Sequence, residues 1–340
     1  MKTLRFPLAF ATAVCALSAT SQALDETINI DGSSTVYPIT KLAGEAFQEK
    51  TKSAVRVNVS FVGTTAGFRK FIKGETDIQN ASRPILKEEI AEAKANGVDF
   101  IEIPLAFDAL TIAINPANTW LRDIKTSELK KLWEAASEGK VTKWNQIRPE
   151  WPDAEIKLFG AGIDSGTYDY FSEVITGSLK NLRKDYAASE DDNDLVKGIA
   201  ADPYALGFIP FSYFAHEGDK LKAVAIVRDY DAIGNQKLAS VPVLPSHKGV
   251  LNGQYTPLAR PLFLYVSVRS LDQKPYLTDF LTFFLMNAGR FIYEANYLPI
   301  SGVAYSKAIK DVQARDTGTR FGGEAVPSVS IYDIFVLPTN

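Results

Sequence analysis

The chain has 340 residues, 46% hydrophobic and 23% charged, with a formal net charge of −3. That length is enough for two domains of ordinary size, and the acidic balance argues against nucleic-acid binding, which favours a basic chain. The single cysteine, Cys15, leaves no disulfide framework and no thiolate metal site to build on.

The first residues predict an export signal. Lys2 and Arg5 supply a basic start, residues 8–19 are apolar but too short for a stable membrane span, and Ser21-Gln22-Ala23 fits a small-x-small cleavage site. Ala13-Val14 ahead of Cys15 does not match a lipoprotein box, so the expectation is a soluble exported protein and not a lipid-anchored one. Cleavage after Ala23 removes Lys2, Arg5 and Cys15 and takes the net charge from −3 to −5. An anionic ligand then has to be attracted by local geometry against the overall charge.

Beyond the leader, strand-like and helix-like segments alternate, which predicts an α/β fold. Strands are expected at 28–30, 55–61, 109–115, 156–159, 223–228 and 262–268. Leu42, Ala43, Ala46 and Phe47 share a helical face, as do Leu129, Leu132 and Trp133 after a cap at Thr126 or Ser127. The apolar pattern of 276–293 predicts one long helix. The acidic run at 189–194 lacks the spacing and central glycine of an EF-hand and reads as a solvated turn leading into a helix. Two segments, 104–109 and 254–261, suggest crossings between lobes. They divide the chain into a signal peptide (1–23), a discontinuous first lobe (24–105 plus 260–340) and a second lobe (106–259).

Three strand–turn–helix junctions carry the functional signal. They are Asp31-Gly32-Ser33-Ser34-Thr35-Val36-Tyr37-Pro38, Gly63-Thr64-Thr65-Ala66-Gly67, and Asp164-Ser165-Gly166-Thr167. Small residues let a ligand approach the backbone, hydroxyls add donors, and a helix start adds oriented N–H groups with partial positive charge. Each alone reads as an ordinary helix cap. Three together, at strand ends where open α/β sheets place ligands, point to one small oxyanion. None matches GxxxxGK[ST], so a nucleotide P-loop is not indicated.

These motifs, taken in order with Asp77 and Ala81-Ser82-Arg83-Pro84 and with Lys140-Val141-Thr142-Lys143-Trp144, resemble the periplasmic phosphate-binding proteins of ABC-type phosphate transporters over nearly the whole mature chain. The resemblance implies a two-lobed type II periplasmic binding fold with the ligand in the interlobe cleft. It also implies capture of inorganic phosphate in the periplasm, delivery to a membrane permease, no cofactor, no catalysis and a monomeric state. By position it assigns phosphate contacts to Ser34, Thr35 and the backbone N–H of Val36, to Thr64 and Ser82, and to Ser165, Gly166 and Thr167.

Two positions depart from the family pattern. Ala161 stands where the best-known form has arginine, and Arg83 follows Ser82 where that form has aspartate. Arg83 is therefore expected to supply the missing cation, since arginine binds phosphate through paired N–H bonds; the alternative for it is a structural salt bridge. A carboxylate that accepts the phosphate proton and repels sulfate is expected at Asp164, with Asp108 second and a helix cap as the other role for Asp164. Binding of sulfate, molybdate or arsenate is the nearest alternative function. An exported adhesion or sensing protein on the same scaffold is another, and an exported phosphatase or hydrolase is the last, with Ser165 as nucleophile and His216 or His247, the two histidines of the chain, as base. It is weakened because Gly162-Ile163-Asp164-Ser165-Gly166 is not Gly-x-Ser-x-Gly.

Overall fold

The computed structural model describes residues 26–229 and 241–324; the expected signal peptide and Cys15 lie outside them. In chain order the strands begin with β1 (Glu26–Gly32), β2 (Val55–Val59), β3 (Ile78–Ala81), β4 (Phe100–Ala109), β5 (Thr111–Ile114), β6 (Asp123–Lys125) and β7 (Lys157–Ala161). They continue with β8 (Ala187–Ser189), β9 (Ala205–Ile209), β10 (Lys222–Ala223), β11 (Ala225–Val227), β12 (Ala259–Ser267) and β13 (Leu298–Pro299). The first helices are α1 (Tyr37–Lys50), α2 (Thr64–Phe71), α3 (Lys87–Ala95), α4 (Thr126–Trp133), α5 (Gly166–Thr176), α6 (Asp192–Ala201) and α7 (Phe211–His216).

Two main sheets make two lobes. The six-stranded sheet runs β13-β4-β12-β3-β1-β2, and the five-stranded sheet runs β10-β5-β9-β7-β8. The first draws on both ends of the described chain and the second on its middle. In the first sheet β1 pairs in parallel with β2 and β3, and β12 runs antiparallel between β3 and β4. In the second, β7 pairs in parallel with β8 and β9, and β5 is antiparallel to β9. The parallel pairs force strand–helix–strand crossovers. They therefore bring the starts of α1, α2 and α5 to the carboxyl ends of strands.

The strand expected at 109–115 is in fact two. β4 ends at Ala109 in one sheet and β5 begins at Thr111 in the other, with the Leu110 N–H held by the Leu258 carbonyl at 2.8 Å. The two lobe crossings therefore lie side by side, at 109–111 and just before Ala259. The 223–228 strand is shorter, β11, and pairs with β6 apart from both main sheets. The long helix expected over 276–293 divides at Asn287 into Pro275–Met286 and Ala288–Glu294. Its side-chain Nδ2 donates to the Phe283 carbonyl at 2.8 Å, an asparagine competing with the backbone ladder.

Apolar packing fixes each lobe around its sheet. In the second, Phe171 of α5 stacks on Phe208 of β9 at 4.1 Å, and Trp133 of α4 meets both edge-on. Burying such rings contributes about 25 cal/mol per Å² of apolar surface removed from water, so the start of α5 is held on a rigid base. In the first lobe Phe47 of α1 packs edge-on against Phe280 at 5.3 Å, which anchors the helix that opens on the first cradle.

Candidate functional site

The first cradle follows β1. Ser34 and Thr35 are buried, and the backbone N–H groups of Ser34, Thr35 and Val36 have no protein acceptor among the described residues. The helix cap of α1 is Val36, whose side chain cannot satisfy the helix donors. Buried N–H groups are nearly always paired, so this run is built for an acceptor from outside the chain. The second cradle opens α2 at Gly63, whose φ of 89° and close approach to the Asp164 carbonyl (2.3 Å from an added Cβ) exclude any side chain. The Thr64 hydroxyl lies 3.1 Å from Ser82 Oγ and accepts from the Ser82 N–H at 3.2 Å. The third cradle opens α5. Its cap is Ser165, whose hydroxyl accepts from the Thr167 N–H at 3.1 Å.

These pieces meet. Thr35 Oγ1 and Thr167 Oγ1 are 3.3 Å apart although 132 residues separate them in sequence. A Cβ added to Gly166 would stand 2.6 Å from Thr64 Oγ1 and 2.7 Å from Ser82 Oγ, so that glycine gives the backbone its approach. Thr35 and Thr167 thus meet across the cleft, and Thr64, Ser82 and Gly166 meet beside them.

The cation at that place is Arg260, on β12. It is fully buried. Nη2 donates to Thr35 Oγ1 at 3.2 Å and to Thr167 Oγ1 at 3.0 Å, Nε and Nη2 donate to Asp108 Oδ2 at 3.1 and 2.9 Å, and Nη1 makes only a long bond, 3.5 Å, to the Ser82 carbonyl. One Nη1 donor has no acceptor among the described residues. The guanidinium lies 5.7 Å over the Tyr170 ring, which fixes its plane. Asp108 also accepts from the Phe211 N–H at 3.0 Å. Its negative charge is therefore spent on orienting Arg260 and on the α7 start.

Arg83 and Asp164 lie elsewhere than the sequence suggests. All five Arg83 N–H donors are taken. Nε donates to Asp169 Oδ2 at 2.8 Å, Nη1 to the Pro84 carbonyl at 3.0 Å and to Glu89 Oε2 at 2.8 Å, and Nη2 to Thr65 Oγ1 at 2.8 Å and Glu89 Oε1 at 2.7 Å. It is a structural ion pair, the alternative role the sequence allowed. The half-exposed Asp164 carboxylate pairs with Arg69, and Ser165, not Asp164, caps the helix.

A different carboxylate lies against the cradle. Asp192, at the start of α6, is buried, and its Oδ2 has no hydrogen-bond partner among the described residues. Burial pushes its pKa up from 3.8 to about 7, against the pull of the Ser34 hydroxyl and the Arg260 charge. Sequence reading passed over Asp192 because it sits in a dense acidic run that resembles a solvated surface. Arg260 left a better signal: an arginine at the head of a strand whose following residues are apolar. The His247 ring lies 5.5 Å from that of Phe211, and its Nε2 is 3.3 Å from the Asn296 carbonyl. Trp144 is buried and donates from Nε1 to the Tyr204 carbonyl at 3.1 Å, a packing role.

Two α/β lobes that close on helix starts, hydroxyls and one buried arginine define a binding protein of the type II periplasmic class. The chain belongs to the PBP superfamily, whose domain model matches residues 17–288. It is 41% identical over 320 residues to the protein SphX of Synechocystis, covering 94% of this chain and 91% of that one. It is 32% identical to the phosphate-binding protein PstS of Staphylococcus epidermidis, covering 83% and 82%. A solved structure described as a possible phosphate binding protein from Planctomyces limnophilus matches with a TM-score of 0.61 and 41% identity, over 85% of this chain and 98% of that chain.

Proposed function

We propose that this protein captures inorganic phosphate between its lobes and hands it to the membrane permease of an ABC transporter. The reading includes export of the chain, cleavage near Ala23 and action outside the cytoplasmic membrane. The observation that carries it is Arg260, which bonds to hydroxyls of the first and third cradles and reaches the Ser82 carbonyl beside the second. Stripping water from an oxyanion is costly and is offset only by many donors at once. The N–H groups of residues 34–36, the hydroxyls of Ser34, Thr35, Thr64, Ser82, Ser165 and Thr167, the helix start at Gly166 and the Arg260 guanidinium supply them. The relatives named as phosphate-binding proteins support this ligand, and their role as binding proteins supports a site without catalysis. The lobe boundaries of the proposal follow the sheets: residues 26–109 and 259–324 in the first lobe, 111–223 in the second.

Asp192 is the carboxylate that reads the ligand's proton. Ionised, it accepts a hydrogen bond from protonated phosphate and repels sulfate, which has none to give at neutral pH. Equilibrium dialysis with labelled phosphate tests the assignment. One site per chain is expected in the wild type, with binding lost in Arg260→Gln. Undiminished binding in that variant, with the fold intact, would remove Arg260 from the site.

A further inference from the structure

The five donors of Arg83 are divided unequally between the lobes. Glu89 on α3, the Pro84 carbonyl and Thr65 on α2 all belong to the lobe that carries Arg83 itself. Asp169, on α5, is the one partner from the opposite lobe. Thr65 Oγ1 donates to the same Asp169 Oδ2 at 2.9 Å while accepting from Arg83 Nη2. Arg83 and Asp169 are both buried, and Arg83 lies 5.3 Å over the Phe68 ring. When the lobes part, Arg83 keeps its fork on Glu89 and its place on Phe68; only Asp169 leaves.

Asp169 also sits less than one turn beyond Gly166 and Thr167, on the helix that forms the third cradle. Moving α5 toward the ligand and moving Asp169 onto Arg83 are therefore one motion. We infer that Arg83, Thr65 and Asp169 form an interlobe latch: a preorganised socket on the first lobe that receives one carboxylate from the second and sets how far the cleft favours the closed form. The latch rests on the phosphate reading for its ligand but not for its own existence. Asp169 and Arg83 are positioning residues: their charged atoms meet Thr65, beside Thr64 in the second cradle, and none of the hydroxyls or N–H groups assigned to phosphate. Apparent affinity falls in proportion to the population of the binding-competent form. Loss of a buried charge-assisted bond is therefore expected to weaken phosphate binding about tenfold.

The test places spin labels on exposed Lys73→Cys and Lys184→Cys, one on each lobe, and measures their separation with and without phosphate. Asp169→Asn is expected to shift the unliganded distribution toward longer distances, raise the phosphate Kd about tenfold through faster dissociation, and leave the liganded distance unchanged. Asp169→Glu is expected to recover part of the effect. Thr65→Val, which keeps every ion pair, is expected to open the cleft less and to add nothing in the double variant with Asp169→Asn. Wild-type distances and affinity in both single variants would overturn the latch. A wild-type protein that binds no phosphate would refute the ligand assignment instead, while the unliganded distances would still decide the latch.

Discussion

Replacing Asp192 with asparagine separates the charge of this residue from its shape. The carboxylate is 3% exposed, Oδ2 is unpartnered, and its pKa stands at about 7 against an ordinary 3.8. The unfolded chain releases this proton near 3.8, the folded chain only near 7, so between those values the folded state binds more protons and stability falls as pH rises. At 1.36 kcal/mol per pKa unit, the charge costs about 4 kcal/mol at pH 8 and nothing at pH 3. An asparagine amide left unpaired in the same place returns about 1–3 kcal/mol of that. The ligand-free Asp192→Asn protein should therefore melt above the wild type at pH 8 and below it at pH 4. Calorimetric melts of stripped protein at pH 4, 6 and 8 measure this. The same variant should accept sulfate more readily, because a neutral amide offers an unprotonated oxyanion no repulsion. A melting difference that does not change with pH would show that Asp192 is not held as a strained buried charge, and unaltered exclusion of sulfate would remove it from selectivity.

Arg260→Lys keeps a cation beside Asp108 but loses the planar fork across the hydroxyls; phosphate affinity should fall about a hundredfold, the value of one or two charged hydrogen bonds, with folding preserved, as titration calorimetry and a melt would show. Gly166→Ala puts a methyl group 2.6 Å from Thr64 Oγ1, so it should hold the lobes apart and cost at least tenfold in affinity without lowering the melting temperature, readable by scattering on the liganded protein. Glu173, four residues after Asp169 on α5, is pushed up from 4.5 to about 7, first by burial and then by Asp169. Its contribution favours the fold below pH 4.5 and is lost as pH rises toward 7, so Glu173→Gln should flatten the fall in stability over that window in a pH series of melts.

The local structure of the candidate site was legible because its parts are local. A strand followed by Gly-Ser-Ser-Thr or Ser-Gly-Thr and then a helical face is a short-range pattern, and all three junctions fold as strand, turn and helix start. Arg260 was not legible as the cation because its role depends on β12 lying between β3 and β4, a long-range pairing that brings it to Thr35 and Thr167. Arg83 was misassigned for a related reason. Its neighbour Ser82 bonds to Thr64, but the chain bends at 82–83 and the Arg83 side chain goes to Glu89 and Asp169. Asp164 had the right sequence position and the wrong partner, because Arg69 lies on α2 of the opposite lobe. The break at Asn287 was masked by apolar residues on both sides, which preserve a helical period through the interruption. The switch of sheets at Leu110 was masked in the same way, since both strands are apolar and only one residue separates them.

The most direct test of the account is a calorimetric titration of ligand-stripped protein with phosphate, repeated in excess sulfate at pH 6 and pH 8. One tight site for phosphate, undisturbed by sulfate at pH 8 and more open to it at pH 6 where Asp192 is protonated, is the predicted result. Absence of phosphate binding, or sulfate displacing phosphate equally at both pH values, would contradict it.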